Sequence, residues 1–331
     1  MRPFESNNVT AFSQTERVRE KIRFIFNPCS GRRRRNASLL PVLRDFISNR
    51  GLDAELTVTE GPGHATLLAR EAVQAGFGRV AAVGGDGTVN EIAQALRHTP
   101  TALAFVPCGS GNGLARYLGL PSGPAGGLEL LASATGRVAL IDIGSANGLP
   151  FFNAMGIGLD AEVSRRFNRL TRRGMPAYVR TALGAFLRHR RQSCVITGPS
   201  GRETLDVILV AAANSDQYGN GAFIAPGASI DDGLLDLVTL APAGAVGALF
   251  LGARLFLGSL HRSSLVKRRL GARFVIERRE PGIIHTDGET HPAAATVEIK
   301  AYPRSLRVLV PTNSRAHANA EGTGGFVMGW G

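Results

Sequence analysis

Hydrophobic positions follow two different rhythms along the chain. In the first third, short apolar runs alternate with stretches whose apolar residues recur every three or four positions. Arg23-Phe24-Ile25-Phe26, Leu56-Thr57-Val58-Thr59, Arg79-Val80-Ala81-Ala82-Val83 and Leu103-Ala104-Phe105-Val106 predict buried strands. Helical patterns run to about Arg50, from Ala65 to Ala75, and through Val89, Ile92, Ala93 and Leu96. Strand, turn and helix repeated in this way predict a doubly wound α/β domain with a parallel sheet, whose ligand lies at the carboxyl ends of the strands. After about Gly136 the rhythm shortens. Val138–Ser145 and Leu149–Met155 flank Asn147-Gly148, a strong hairpin signal. Cys194–Thr197, Leu205–Ala212, Leu234–Leu240, Arg273–Glu277, Thr296–Lys300 and Leu306–Val310 are further turn-bounded runs, so this half predicts an antiparallel β domain with one or two helices. The expected organisation is a disordered leader over 1–20, an α/β domain over 21–137, a β-rich domain over 138–311 and a flexible tail over 312–331.

The turns carry the chemistry. Asn27-Pro28-Cys29-Ser30-Gly31, Gly84-Gly85-Asp86-Gly87-Thr88 and Pro107-Cys108-Gly109-Ser110-Gly111-Asn112-Gly113 each open a helix on the same sheet edge. Glycine lets a ligand approach where a Cβ would clash, and a helix start offers unpaired N–H groups that suit phosphate. Asp86 adds a carboxylate, which makes sense beside a phosphate if a cation or a moving proton lies between. Neither GxxxxGK[ST] nor GxGxxG occurs, which removes two large nucleotide-binding classes.

Composition narrows the partners. The 331 residues hold 38 Lys+Arg against 26 Asp+Glu, a formal charge of +12, so anions are drawn to the chain. Only 6% of residues are aromatic and no stacking motif is evident, which argues against nucleic acid. Cys29, Cys108 and Cys194 form no CxxC pair, so neither a disulfide framework nor a zinc site is expected and a reducing cytoplasm fits. Residues 1–20 lack the apolar core of a signal peptide. Leu240 to Leu260 is the longest apolar tract, but its Arg254 would cost at least about 2.5 kcal/mol in hydrocarbon, so a packed helix is expected there. Arginines at 165, 166, 169, 172, 173, 180, 188, 190 and 191, interleaved with apolar residues, suit an anionic membrane surface, and Arg32–Arg35 could reach phosphate or membrane.

N-P-x-S-G, G-G-D-G-T-x-N-E, P-x-G-S-x-N-x-x-A-R, N-A-M-G-I-G-L-D-A-E, D-D-G-L-L-D-L and D-G-E occur in that order between about Ile22 and Val310. This series resembles the diacylglycerol kinase catalytic family, which includes bacterial lipid kinases and the sphingosine and ceramide kinases and is related to the NAD kinases. The resemblance implies an NAD kinase-like α/β domain and a C-terminal β-sandwich, with ATP in the cleft between them and a lipid hydroxyl as acceptor. Nucleotide contacts would fall on Asn27, Pro28, Ser30, Gly31, Thr59, Gly85, Asp86, Gly87, Thr88, Asn90, Glu91, Gly109, Ser110, Arg180 and Asp287. Ser110 stands where the family commonly has Thr, which keeps the hydroxyl.

By the same resemblance Glu289 is the proton acceptor assigned in bacterial lipid kinases, and Asp86 the one assigned in sphingosine kinases; both stay open. Glu162 matches an acidic residue that meets substrate. Asp232, with the carbonyls of Ser229 and Leu234, matches a structural magnesium site, and Mg²⁺ would also accompany ATP. The expected enzyme is an ATP-dependent lipid kinase that visits an anionic membrane from the cytoplasm and acts on diacylglycerol, a sphingoid base, ceramide or phosphatidylglycerol. The rivals are an NAD kinase and a non-catalytic lipid- or nucleotide-binding regulator. The acceptor lipid and the oligomeric state are not legible in the chain.

Overall fold

A computed structural model describes residues 21–30, 38–109, 111–133, 135–168, 181, 184–186, 191–219 and 221–316. Strands β1 (Ile22–Phe26), β2 (Ala54–Val58), β3 (Arg79–Gly84) and β4 (Ala102–Pro107) pair in parallel in the order β2-β1-β3-β4. Helices α1 (Leu39–Asn49), α2 (His64–Gln74) and α3 (Asp86–Leu96) follow the first three strands, as the periodicity predicts. β4 is buried along its whole length and β3 from Val80 onward, which is why these strands read as unbroken apolar runs rather than alternating ones. The strand order reverses between β1 and β3. That places a crevice at their carboxyl ends, where open α/β sheets bind ligands.

β5 (Gly136–Ala146) turns into β6 (Leu149–Phe151) through Asn147 and Gly148, whose φ values of 48° and 83° are those of a two-residue hairpin turn. The last strand, β16 (Thr296–Pro311), is a single element where the sequence suggests two. It is irregular between Tyr302 and Leu306 and pairs antiparallel with β5 along most of its length. Beyond the irregularity, Val308 lies beside Leu103 of β4, so β16 extends the parallel sheet. Before it, β16 pairs with β13 (Arg273–Arg278), which continues to β8 (Gln192–Gly198) and β9 (Gly201–Val207).

A second, six-stranded sheet has the order β12-β11-β10-β7-β14-β15 and is antiparallel throughout. Its strands are β7 (Ala154–Gly158), β10 (Leu209–Ala213), β11 (Leu235–Leu240), β12 (Val266–Gly271), β14 (Gly282–Thr286) and β15 (Glu289–Ala293). Phe151, Cys194, Ile196, Phe274, Ile276 and Ile299 of the first sheet meet Met155, Ile157, Val210, Leu237 and Ile284 of the second, which makes the C-terminal half a β-sandwich. Two helices, Leu159–Asn168 (α6) and Ala245–Phe256 (α7), lie against the outer face of the second sheet; Gly113–Tyr117 (α4) and Pro124–Ala132 (α5) precede them in the chain.

The apolar tract expected to be a packed helix is only half packed. Ala248 and Leu251 are buried, while Val246, Leu249 and Phe250 face solvent at 71%, 70% and 65% exposure. No helix among the described residues is long and apolar enough to cross a membrane. Residues 312–316 join the body: Ser314 Oγ donates to Leu118 O at 2.6 Å, and Ala316 is buried.

Ala139, Ile141, Leu306, Val308 and Val310 belong to the core under the parallel sheet. A chain cut to residues 21–137 would lose all five and leave the β4 edge bare. That fragment is expected to show no cooperative unfolding transition by circular dichroism; a sharp transition like that of the whole chain would contradict this dependence.

Candidate active site

Three turns meet at the crevice between β1, β3 and β4. Asn27, directly after β1, donates its backbone N–H to Val83 O at 3.0 Å and its Nδ2 to Thr88 Oγ1 at 2.9 Å. Ser30 Oγ lies 3.3 Å from the same Thr88 oxygen. Cys108 N donates to Gly84 O at 2.8 Å, tying the third turn to the second. Glycine is required at their contact: a Cβ built on Gly109 would lie 2.8 Å from Gly85 Cα. Asp86, the first residue of α3, accepts Asn112 N at Oδ2 (2.8 Å) and Gly113 N at Oδ1 (2.9 Å). Its carboxylate is thus a staple between the second and third turns, and a side chain on Gly111 would displace it, since a built Cβ falls 2.5 Å from Oδ2.

Other expected contacts take distinct places. Thr59 is buried at the end of β2, its N–H bonded to Phe26 O. Pro28 lies in the turn after β1, and Gly87 opens onto free space in the first turn of α3. Glu91 points away from the turns and accepts Ala65 N at 3.2 Å, where its charge suits the start of α2. Gly31, Ser110, Arg180 and the Arg32–Arg35 run lie outside the described residues.

Opposite the turns stands the β14–β15 hairpin, closed by Asp287 and Gly288 at φ 49° and 89°. Asp287 Oδ1 accepts Asn153 N (2.8 Å) and Ala154 N (3.0 Å), and Oδ2 accepts Phe152 N (2.8 Å) and Asn90 Nδ2 (2.8 Å). Burial pushes this carboxyl up to about 6, and the three amides pull against it. Asn90 belongs to α3 and is steadied by Gln94, whose Nε2 donates to Asn90 Oδ1 at 2.7 Å. Both oxygens of Asp287 therefore bind protein. Glu289, two residues on, is exposed at the start of β15, with no hydrogen-bonding partner for its carboxylate among the described residues.

The sequence reading missed a buried cluster behind that hairpin. His285 Nε2 lies 2.9 Å from Asp160 Oδ2, Tyr218 OH donates to the same oxygen at 2.5 Å, and Gly288 N donates to His285 Nδ1 at 3.3 Å. Burial alone would lower the His285 pKa, but the Asp160 charge outweighs it and holds the imidazole above its ordinary value. A histidine inside an apolar alternation gives no signal of a partner 125 residues upstream.

Glu162 lines a cavity of about 780 Å³, together with Gly158, Arg166, Arg191, Arg278 and Gly282. Partial burial works against its charged form, yet hydrogen bonds from Arg166 and Arg165 hold its carboxyl below the usual range. Gly282 and the hairpin tip stand at opposite ends of β14, roughly 16 Å apart at about 3.3 Å per residue.

Of the expected metal ligands, Asp232 Oδ1 accepts Leu234 N at 2.9 Å, and Ser229 Oγ donates to Asp231 Oδ1 at 2.9 Å. Asp142, not anticipated from sequence, anchors this loop by accepting Gly233 N at 2.6 Å and Arg304 N at 2.7 Å. Burial raises the Asp142 pKa, and the charges of Asp232 and Asp231 add to that rise. Among the described residues no three His, Cys, Asp or Glu side chains are grouped to hold a metal. Asp232 with the carbonyls of Ser229 and Leu234 would suit a hard cation held largely by carbonyl oxygens and water.

Comparisons with known proteins agree with this architecture. Residues 21–162 match the family model described as diacylglycerol kinase catalytic domain, and residues 153–310 match the YegS C-terminal NAD kinase beta sandwich-like domain. A probable lipid kinase YegS-like of Pseudomonas fluorescens is 34% identical over 271 residues, covering 80% of this chain and 88% of the relative. Its counterpart in Pseudomonas putida is 32% identical over 274 residues, covering 81% and 89%. A solved diacylglycerol kinase structure from Bacillus anthracis str. Sterne superposes with a TM-score of 0.67 at 22% identity, covering 88% of this chain and 97% of that one, a likeness of fold.

Replacing Asp287 by Asn would turn one acceptor oxygen into a donor facing buried N–H groups. The expected loss is about 2–4 kcal/mol, read as a lower urea midpoint, whereas Asn90→Ala should cost about 1 kcal/mol. Equal and small effects from both would mean that Asp287 is not the junction.

Proposed function

The chain belongs to the diacylglycerol kinase catalytic family, and from that premise we propose that this lipid kinase transfers the γ-phosphoryl group of ATP to a hydroxyl of diacylglycerol or a related lipid, such as a sphingoid base, ceramide or phosphatidylglycerol. The observation that carries the reading is Glu289, whose carboxylate has no partner among the described residues, on a hairpin that the Asn90–Asp287 bond ties to the helix after the second of three glycine turns on one sheet edge.

In this reading the triphosphate lies along Asn27, Pro28, Ser30, Gly31, Thr59, the Gly85–Thr88 turn, Gly109 and Ser110, with the α3 N-terminus directed at phosphate. Arg180 supplies a further cation to it. Mg²⁺ bound with ATP would neutralise the β and γ oxygens. The second ion, at Ser229, Asp232 and Leu234, would brace the loop that Asp142 anchors. Glu162 meets the polar part of the acceptor lipid, whose hydroxyl reaches the hairpin tip.

As the hydroxyl oxygen bonds to the γ-phosphorus, the bond from that phosphorus to the bridging oxygen breaks, ADP departs and Glu289 takes the hydroxyl proton. That both Asp86 oxygens accept backbone N–H groups supports Glu289 as the acceptor and Asp86 as the staple of the phosphate-binding turns. A cytoplasmic enzyme that visits an anionic membrane is the setting in which the acceptor is met.

Incubation with ATP, Mg²⁺, a lipid panel and NAD, followed by mass spectrometry, is expected to yield a phosphorylated lipid; phosphorylated NAD without phosphorylated lipid would overturn the proposal. Glu289→Gln should lower kcat by about 10²-fold or more at unchanged thermal stability. Asp86→Asn should instead raise the KM for ATP and weaken the fold by about 1–2 kcal/mol, because an amide donor would face one of the two backbone donors. Wild-type turnover in Glu289→Gln would remove the proton-acceptor role.

A further inference from the structure

The helix α7 has two unlike faces. Around its axis, Val246, Leu249, Phe250, Ala253 and Leu257 fall within an arc of about 100°, while Ala248, Leu251 and Leu255 fall on the opposite side. The first group is exposed, with Leu257 at 78%, the highest exposure among the large apolar residues described. The second group packs on the outer face of the second sheet. The helix therefore departs from an ordinary surface helix: apolar residues point both to the core and to solvent.

The chain segment that carries this face is basic, and part of its charge is left unpaired among the described residues. Between Asp236 and Glu277 the chain has no Asp or Glu, but it holds Arg254, Arg262, Lys267, Arg268, Arg269 and Arg273. Arg268 and Arg269 are paired with Asp236 and Glu203, and Lys267 also reaches Glu203. His261 and Arg262, on the turn Leu260–Arg262 just after the helix, are exposed and have no ion-pair partner among the described residues. Leu270, on the edge strand β12, adds a further half-exposed apolar side chain at 48%.

The helix is also joined to the candidate active site. Phe223 N donates to Leu255 O at 2.9 Å, and Phe223 belongs to the same loop as Tyr218. Tyr218 OH bonds Asp160, and a Cβ built on Gly113 would fall 3.1 Å from Tyr218 O. One face of this loop thus carries α7 and the other reaches the phosphate-binding turns.

We propose that the exposed face of α7, with Val246, Leu249, Phe250 and Leu257 as its apolar contacts and Arg262 beside them, docks on an anionic bilayer surface. The inference rests on the lipid kinase reading and names the surface through which the acceptor's membrane is met. An apolar stripe flanked by basic residues is the pattern of helices that lie in the interface, where such a face enters about 5–10 Å into the headgroup and acyl boundary. The exposed His261 and Arg262 at the end of the stripe favour anionic lipid, whereas a second copy of this +12 chain would bring like charge against like. The stripe is continuous from the start of the helix to its end, so it would lie flat rather than insert end-on.

The test is co-sedimentation of the whole chain with vesicles of phosphatidylcholine containing about 30 mol% phosphatidylglycerol, a fraction chosen for a surface potential of physiological size. Binding is expected, with weakening as salt is raised. Leu249→Glu combined with Phe250→Glu should weaken it at least about tenfold, and Arg262→Glu by a smaller factor. All three positions are exposed, so thermal stability should not change. Turnover of a short-chain lipid dissolved as monomers should stay within about twofold in every variant, while turnover on vesicles falls.

Unchanged vesicle binding by the double variant would overturn the proposal. So would a wild-type dimer by light scattering that the double variant converts to monomer, because a second copy would then cover the face. Vesicle binding without any phosphoryl transfer would count against the kinase reading alone. Transfer to monomeric lipid without vesicle binding would count against the docking face alone.

Discussion

A single buried carboxylate decides where the two halves of this molecule meet. Asp287 lies in a hairpin of the sandwich, and its four hydrogen bonds come from the Phe152–Ala154 backbone and from Asn90 on the helix after the glycine turn. A charge removed from water is tolerated only when its lone pairs are filled, so the geometry of these four donors is narrowly set. The hairpin tip must then face the helix N-terminus, and Glu289 emerges at the rim of the crevice. Gly156 shows how little room is left behind the tip: a built Cβ would lie 2.0 Å from Asp160 Oδ2 and 2.6 Å from His285 Nε2.

Covalent continuity supports the same junction. β5 and β16 run from the parallel sheet into the sandwich as one antiparallel ribbon, so the halves share backbone hydrogen bonds as well as side-chain contacts. The irregularity between Tyr302 and Leu306 comes where the ribbon passes from the parallel part of the first sheet to its antiparallel part, and Asp142 holds Arg304 N there. Asp142 binds the Gly233 loop with its other oxygen, so the bend and the loop expected to hold a cation are fixed by one side chain.

Much of this was legible along the chain. β3 and β4 are buried on both faces, so their apolar runs and the glycine turns after them announced the parallel sheet and its ligand edge. The hairpin at Asn147-Gly148 was visible because it demands positive φ at two adjacent residues. What stayed hidden depends on distant partners. Asn90 and Asp287 are 197 positions apart, and nothing local distinguishes an Asp that accepts four N–H groups from one that meets a nucleotide. Asp86 likewise read as a free carboxylate beside phosphate, although its oxygens hold Asn112 and Gly113. The α7 tract read as packed because hydropathy counts apolar residues without regard to which of them find a neighbour. The short β15 was missed because Glu289, Thr290, His291 and Pro292 carry no strand pattern of their own.

Charge and shape then act together. Surface ion pairs such as Arg202–Glu277 and Arg273–Glu298 contribute little to stability, so the excess of basic residues is better understood as a property of the field around the molecule. The most direct test of the account is hydrogen exchange measured with and without a non-hydrolysable ATP analogue and Mg²⁺. The amides of 85–88, 109–113 and 287–289 are predicted to gain protection together, since the nucleotide would bridge the turns and the hairpin that Asp287 holds against them. Protection confined to the cavity near 278–283, or none at any of the three segments, would contradict it.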